Sequence, residues 1–244
     1  MDLRGKQCIV TGGVKGLGRA MVEALVAREC KVTVFDVDSA GFDELQNTGV
    51  RCLTCDVTNS EQINAALEAF GGVPDVLINN AGILYSEPLL KITDDGLKLH
   101  ALESWDRVLR TNLSSVFYMT APVVAKMVAT RMKGVVVNIG SVSAAGNPGA
   151  SAYSAAKAGV HALTQAWAKE LGLMGIRVIA IAPGFMDTDS AHAATSETAL
   201  RETIKRVPLR RLGKAEEVAA AVVAAIENDF FNGKVLELDG GLSV

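Results

Sequence analysis

The 244-residue sequence predicts an α/β fold: one doubly wound domain over residues 1–244, with a seven-stranded parallel sheet covered by helices on both faces. Three observations predict it. Short apolar runs rich in valine and isoleucine alternate along the chain with stretches of helical periodicity, the order expected of repeated βαβ units. The first run ends in a glycine-rich turn, Thr11-Gly12-Gly13-Val14-Lys15-Gly16-Leu17-Gly18, from which a helical pattern departs. No linker and no change of composition divides the chain, and 49% apolar against 21% charged residues suffices for one full core.

The strand Gln7 to Thr11 (QCIVT) runs into that turn, and RAMVEALVARE after it reads as an amphipathic helix. Glycines let a backbone approach a pyrophosphate, while the helix start offers unpaired N–H groups and the positive end of a dipole. Gly12, Lys15, Gly16, Leu17 and Gly18 are therefore expected to cradle a dinucleotide. The turn gains this meaning from a second strand, Lys31 to Phe35 (KVTVF), which closes the βαβ unit of a Rossmann-type fold and ends in Asp36. A carboxylate there accepts hydrogen bonds from the adenosine ribose hydroxyls and repels a 2′-phosphate, so NAD is expected ahead of NADP. Lys15 argues the other way, because a cation inside the turn attracts that phosphate. Asp36 is weighted more heavily, since its repulsion is direct and a long lysine can swing into water.

Arg51 to Val57 is the third strand, ending on Asp56 and Val57, and after a helix over Ser60 to Phe70 the fourth is Asp75 to Gly82 (DVLINNAG). Asn79, Asn80, Ala81 and Gly82 at the carboxyl end of a buried strand suit a ligand better than packing, because open α/β sheets bind at strand carboxyl ends. The polar insertion Tyr85 to Ala101 is expected to be surface loop and short helix. From Trp105 the chain reads as helix, Asn112 lies within it, and Pro122 is expected to kink the helix beyond it. Gly134 to Ser141 (GVVVNIGS) and Ile176 to Pro183 (IRVIAIAP) are the fifth and sixth strands. Gly184 and a polar, alanine-rich segment come next, expected to form a mobile lid over about 185–210. After a helix over Ala215 to Asn228, Lys234 to Leu238 is the seventh strand.

The stretch Ser151 to Gly172 organises the rest. Tyr153 and Lys157 are four apart and share a helix face, among alanines and glycines too small to cover anything, so the helix is expected to be buried on both flanks. An ammonium beside a phenol stabilises phenolate and lowers the tyrosine pKa, as a general acid/base requires. Ser141 ends the fifth strand, and the Gly/Pro/Ala loop after it can return its hydroxyl to Tyr153.

A net charge of −3 and a pI near 5.7 leave no basic footprint for nucleic acid. The apolar runs are short and interrupted, and the first residues are too polar for a signal peptide, so no membrane association and a cytoplasmic location are expected. Cys8, Cys30, Cys52 and Cys55 are expected as reduced thiols; Cys52 and Cys55 form a lone C-x-x-C, but in a strand their positions point to opposite faces. His100, His161 and His192 make no ligand spacing with them, and no metal is expected.

Taken together, TGGVKGLG, the NNAG of Asn79 to Gly82, Asn112, Ser141 and the Tyr153/Lys157 pair stand in the order and approximate spacing of the short-chain dehydrogenase/reductase family, which the chain resembles over essentially its whole length. The resemblance implies that Tyr153 donates and accepts the proton, Ser141 holds the reacting oxygen, and Lys157 lowers the tyrosine pKa and grips the nicotinamide ribose. It implies that Asn112 steadies Lys157 through a water-linked relay and that Pro183, Gly184 and Thr188 lie beside the nicotinamide carboxamide. The insertion before Trp105, IRVIAIAPG and RLGKAEEVAAAVVAAIENDFFNGKVLELDG resemble the type II 3-hydroxyacyl-CoA dehydrogenases. The body is also similar to the 3-oxoacyl-carrier-protein reductases, which run the reverse chemistry and usually prefer NADPH.

The implied reaction interconverts a secondary alcohol and a ketone, foremost a 3-hydroxyacyl and a 3-oxoacyl thioester linked to CoA or a carrier protein, in fatty acid metabolism. A steroid, polyol or cyclic alcohol is the alternative substrate. A dinucleotide-sensing regulator without turnover is the alternative of another class, against which Ser141, Tyr153 and Lys157 argue. Arg201, Lys205, Arg206, Arg210 and Arg211 are candidates to meet phosphate or an acidic carrier, although Glu197 and Glu202 dilute their charge. Small-residue helix faces, the apolar C-terminal KVLELDGGLSV and the family likeness imply a homotetramer.

Overall fold

The computed structural model describes residues 1–194 and 196–242; Thr195, inside the expected lid, and the terminal Ser243-Val244 lie outside the described residues. In chain order its first elements are β1 (Gln7–Thr11), α1 (Gly16–Val26), β2 (Lys31–Asp36), α2 (Phe42–Gln46), β3 (Arg51–Thr54), α3 (Ser60–Phe70), β4 (Val76–Asn79), β5 (Leu90–Thr93) and β6 (Gly96–Leu99). Then come α4 (Leu102–Leu109), α5 (Ser115–Ala129), β7 (Gly134–Ile139), α6 (Ser151–Leu171), β8 (Ile176–Pro183), α7 (Asp189–Ala194), α8 (Glu197–Arg206), α9 (Ala215–Glu227) and β9 (Val235–Leu238).

Seven strands form one parallel sheet in the order β3-β2-β1-β4-β7-β8-β9. The winding reverses between β1 and β4, where diverging loops open a crevice at the strand carboxyl ends. Successive strand residues feed opposite cores. Cys8 and Val10 of β1, Val135 and Val137 of β7, and Ile179 and Ile181 of β8 pack with Met21, Leu25, Val222 and Ile226 of α1 and α9. Ile9, Val136 and Val178 face the other way, onto Ile63, Leu67, Met119, Val123 and Val160 of α3, α5 and α6. Burial on both faces is why these strands read as unbroken apolar runs.

One polar ladder crosses the second core. Asn79 Nδ2 donates to Thr120 Oγ1 and to Asn138 Oδ1, both at 2.9 Å, and Asn138 Nδ2 donates to Thr164 Oγ1 at 2.9 Å. Asn79 and Asn138 are also register partners on β4 and β7, so the ladder pins the two strands whose ends carry the site to α5 and α6.

The structure corrects two local expectations. The insertion over 85–101 holds a β-hairpin rather than loop and short helix: β5 and β6 pair antiparallel with Leu90 opposite Leu99 and Ile92 opposite Leu97. LKIT and GLKL alternate with the period of a strand, a signal outweighed in the sequence by the surrounding charge and by Pro88. Gly96, at φ +115, follows Asp94-Asp95 and lets the chain reverse. Pro122 stands inside α5, which continues through it, and an irregular turn lies earlier, a π turn over Arg110–Ser114 that holds Asn112. Finally, α6 is buried on one flank only, with Ala155, Ala158 and Ala162 exposed on the other.

Candidate active site

The carboxyl ends of β1, β2, β4, β7 and β8 bring the expected residues to one edge of the sheet. In the glycine turn, Gly12 has φ +65, and a Cβ there would lie 2.8 Å from Ala81 Cα; one on Gly18 would lie 1.9 Å from the Gly12 carbonyl oxygen. The turn thus leaves a cradle that side chains would fill, and α1 begins at Gly16 with no side-chain cap from Lys15. These features fit a dinucleotide pyrophosphate. Asn80 clamps the turn instead of projecting freely: its Nδ2 donates to the carbonyls of Thr11 at 3.0 Å and Gly12 at 2.8 Å. Thr11, which the sequence reading did not single out, is the hub. Its Oγ1 accepts from the N–H groups of Asn80 at 3.0 Å and Ala81 at 3.1 Å, joining the ends of β1 and β4.

Asp36 ends β2 half-buried, with Oδ2 accepting from Val14 N–H at 3.1 Å and Oδ1 from Asp38 N–H at 3.0 Å. These bonds aim the carboxylate along the turn. Lys15 forms an ion pair with Asp38 at 3.3 Å. The Ala40 N–H, and then Lys15, hold the Asp38 carboxyl below its ordinary range. Asp38 was absent from the sequence reading; a second acid two positions past the strand end was its only signal. Asp56 turns the chain after β3, its Oδ1 accepting from Thr58 N–H at 2.8 Å, and Val57 is buried in the second core.

Three polar side chains expected to act together stand on β7's end and α6. Ser141 is 7% exposed and caps the 3₁₀ turn Val142–Ala145, its Oγ accepting from Ser143 N–H at 3.1 Å. The Tyr153 phenol is pushed up from its ordinary value by burial, partly offset by its hydrogen bond with Ser141. Lys157, 5% exposed, donates from Nζ to the Ile139 carbonyl at 2.7 Å, and burial draws its pKa down to about 8. Here the structure corrects the expected electrostatics. Lys157 Nζ lies 5.7 Å from the Tyr153 ring centre, and the phenol rises instead of falling, because the burial that isolates the pair penalises both phenolate and ammonium.

The Asn112 side chain braces the loop after β4: its Oδ1 accepts from Ile83 N–H at 2.8 Å and its Nδ2 donates to the Ile83 carbonyl at 2.9 Å. Gly82 lies against it, a Cβ there falling 2.5 Å from Asn112 Oδ1. Pro183 closes β8, Gly184 N–H donates to the Leu238 carbonyl at 2.8 Å, and the Thr188 carbonyl accepts from the Ala191 and His192 N–H groups at the start of α7. Three of the five basic residues beyond are held in ion pairs: Arg201 with Glu197 at 3.2 Å, Lys205 with Glu202 at 2.7 Å and Arg211 with Glu217 of α9 at 2.5 Å.

A dinucleotide cradle beside a Ser–Tyr–Lys set at a topological switch point defines a dehydrogenase, and residues 6–199 match the family model of short chain dehydrogenases. The chain belongs to that family and is an oxidoreductase. It is 37% identical to the 3-oxoacyl-acyl-carrier-protein reductase of Vibrio cholerae, over 99% of each chain. It is 36% identical to the enzymes of that name from Thermotoga maritima, over 100% of both, and Escherichia coli, over 99% of both. Among solved structures, a provisionally assigned gluconate dehydrogenase of Agrobacterium tumefaciens superposes with a TM-score of 0.87 at 32% identity, covering 99% of this chain and 97% of the other.

Proposed function

We propose that the chain reduces a 3-oxoacyl thioester, carried on an acyl-carrier protein, to the 3-hydroxyacyl thioester. One observation carries the reaction type: Ser141, Tyr153 and Lys157 meet at the carboxyl edge of the sheet, beside the glycine cradle. The choice of thioester rests on the full-length likeness to reductases named for that substrate. The reverse oxidation of a 3-hydroxyacyl-CoA is the second reading, favoured by the acidic end of β2, which suits NAD, and by the insertion before Trp105.

Gly12, Gly16, Leu17 and Gly18 would hold the pyrophosphate and Asp36 the adenosine ribose, with Asp56, Val57, Ala81 and Gly82 lining the adenine side and Pro183, Gly184 and Thr188 the nicotinamide. Bound there, the nicotinamide dinucleotide supplies or accepts the hydride. We infer NAD(H) rather than NADP(H), because the Asp36 carboxylate at the end of β2 would repel a 2′-phosphate while Lys15 is engaged by Asp38. In the reduction, the Ser141 hydroxyl donates a hydrogen bond to the substrate carbonyl and the neutral Tyr153 phenol delivers its proton to the same oxygen. Lys157, held by the Ile139 carbonyl, presents positive charge behind the phenol as it becomes phenolate.

A homotetramer in the cytoplasm is part of this reading. Exposed Phe117 and Tyr118 on α5, with Leu113, Gly159, Ala162 and Leu163, line an apolar groove, and no described helix is long and apolar enough to cross a membrane. The test follows NADH and NADPH absorbance with acetoacetyl-CoA, an acetoacetyl carrier protein, a keto sugar acid and a cyclic ketone. Fastest turnover of the carrier-linked thioester is the expected result. Inert thioesters beside a rapidly reduced keto sugar acid would overturn the substrate and leave the oxidoreductase.

A further inference from the structure

His161 stands on α6 one turn beyond Lys157 and two beyond Tyr153, on the side that meets the sheet. Its Nε2 is buried and, among the described residues, has no hydrogen-bond partner. That nitrogen lies against Gly140, where an added Cβ would be 2.3 Å from Nε2 and 2.8 Å from Cδ2 of the ring. The next nearest atom, the Ile181 carbonyl oxygen, is at an ordinary 3.5 Å, and Gly140 does not adopt the left-handed backbone that would itself demand glycine. Only the imidazole, therefore, forbids a side chain at Gly140.

Gly140 joins two parts of the site. The residue before it, Ile139, carries the carbonyl that accepts from Lys157 Nζ at 2.7 Å, and the residue after it is Ser141. Gly140 N–H is itself tied to the Ile181 carbonyl at 2.7 Å, so the far side of the step is fixed to β8. An aliphatic side chain would fill the space beneath it without an unpaired buried nitrogen, so packing alone does not account for histidine. Burial first, and then the charge of Lys157, hold the imidazole pKa below its ordinary value, which keeps the ring neutral and compact beside the lysine.

We propose that His161 is a positioning residue for the carbonyl reduction: its ring edge braces Gly140 and so fixes the carbonyl that holds Lys157 relative to the hydroxyl of Ser141. This rests on the reading that Ser141, Tyr153 and Lys157 carry the proton chemistry, and not on the identity of the ketone. Misplacement of reacting groups by about 1 Å can cost on the order of a hundredfold in rate.

The test compares wild type, His161→Ala, Gly140→Ala and the double variant on whichever ketone the wild type reduces, with NADH binding measured separately. His161→Ala is expected to lower kcat about tenfold while leaving the Kd for NADH within about twofold. Gly140→Ala, which forces the ring away, is expected to lose about a hundredfold in kcat, and the double variant to recover to within about threefold of His161→Ala. That rescue separates bracing from general loss of packing, which would compound. Wild-type kcat in His161→Ala, or losses that multiply in the double variant, would overturn the inference. Should His161→Ala not fold, His161→Val, alone and with Gly140→Ala, serves the same comparison. A wild type that reduces another ketone but no thioester removes only the substrate reading; one inactive on every carbonyl overturns both.

Discussion

Lys157 Nζ is bound to the main-chain carbonyl of Ile139 at 2.7 Å, so in the free protein the sheet, not the tyrosine, holds the ammonium. Burial draws its pKa down to about 8, whereas an unfolded lysine ionises near about 10.4. Between those values the unfolded chain binds more protons, so this group's contribution to stability rises with pH from about 8 and levels off near about 10.4. The Tyr153 phenol, pushed up by burial, acts oppositely above about 10. Lys157→Met removes the first effect alone. Its stability relative to wild type is expected to be greater at about pH 7 than at about pH 10, by on the order of 2 kcal/mol, in urea unfolding across that range. A difference that does not vary with pH would contradict the buried, desolvated lysine.

Tyr153→Phe removes only the hydroxyl from a site that burial already preserves. Turnover is expected to fall about 10²- to 10⁴-fold with NADH binding nearly intact, measured by steady-state kinetics and fluorescence titration. Activity within about threefold of wild type would place the proton donor elsewhere.

Asp36 and Asp38 should move cofactor preference in the same direction by different routes. Asp36→Ala removes the carboxylate that would repel a 2′-phosphate, while Asp38→Ala releases Lys15 from its ion pair at 3.3 Å to meet that phosphate. Each is expected to raise the kcat/KM ratio of NADPH to NADH by about tenfold, the effect of Asp38→Ala shrinking with added salt. If wild type already favours NADPH, Lys15 outweighs Asp36.

Two glycines of the same turn should respond differently to alanine. Gly16 has φ +57, and an added Cβ would meet nothing within 4 Å, so Gly16→Ala carries backbone strain of about 1 kcal/mol and little else. Gly18→Ala would put a Cβ 1.9 Å from the Gly12 carbonyl oxygen and 2.7 Å from Asn80 Nδ2, and must open the turn. NADH affinity is expected within about threefold of wild type for Gly16→Ala and more than about tenfold weaker for Gly18→Ala. Equal losses by calorimetric titration would mean that the cradle is not shaped by the Gly12–Gly18 contact.

Much of the candidate site was legible because its signals are local. The glycine turn between β1 and α1, the acid ending β2, and the four-residue step from Tyr153 to Lys157 each follow from spacing along one or two elements. The hairpin β5/β6 was missed for the converse reason. Its alternation spans only four residues a strand, and Leu90, Ile92, Leu97 and Leu99 are 47–80% exposed, so the pattern had no burial to announce.

Alternating apolar runs and helical stretches determined by themselves that this chain forms a doubly wound parallel sheet, because strands facing two cores read as unbroken apolar runs while the helices that cover them keep a one-sided apolar stripe. Which polar group meets which was decided only by the tertiary structure. Asn112 is spent on Ile83, Asn80 on Thr11 and Gly12, Lys15 on Asp38, and Lys157 on Ile139, pairings across 18 to 69 positions of chain. Hydrogen bonds and desolvation act through distance in space, and that distance exists only once the strand order has brought the carboxyl ends of β1, β2, β4 and β7 side by side.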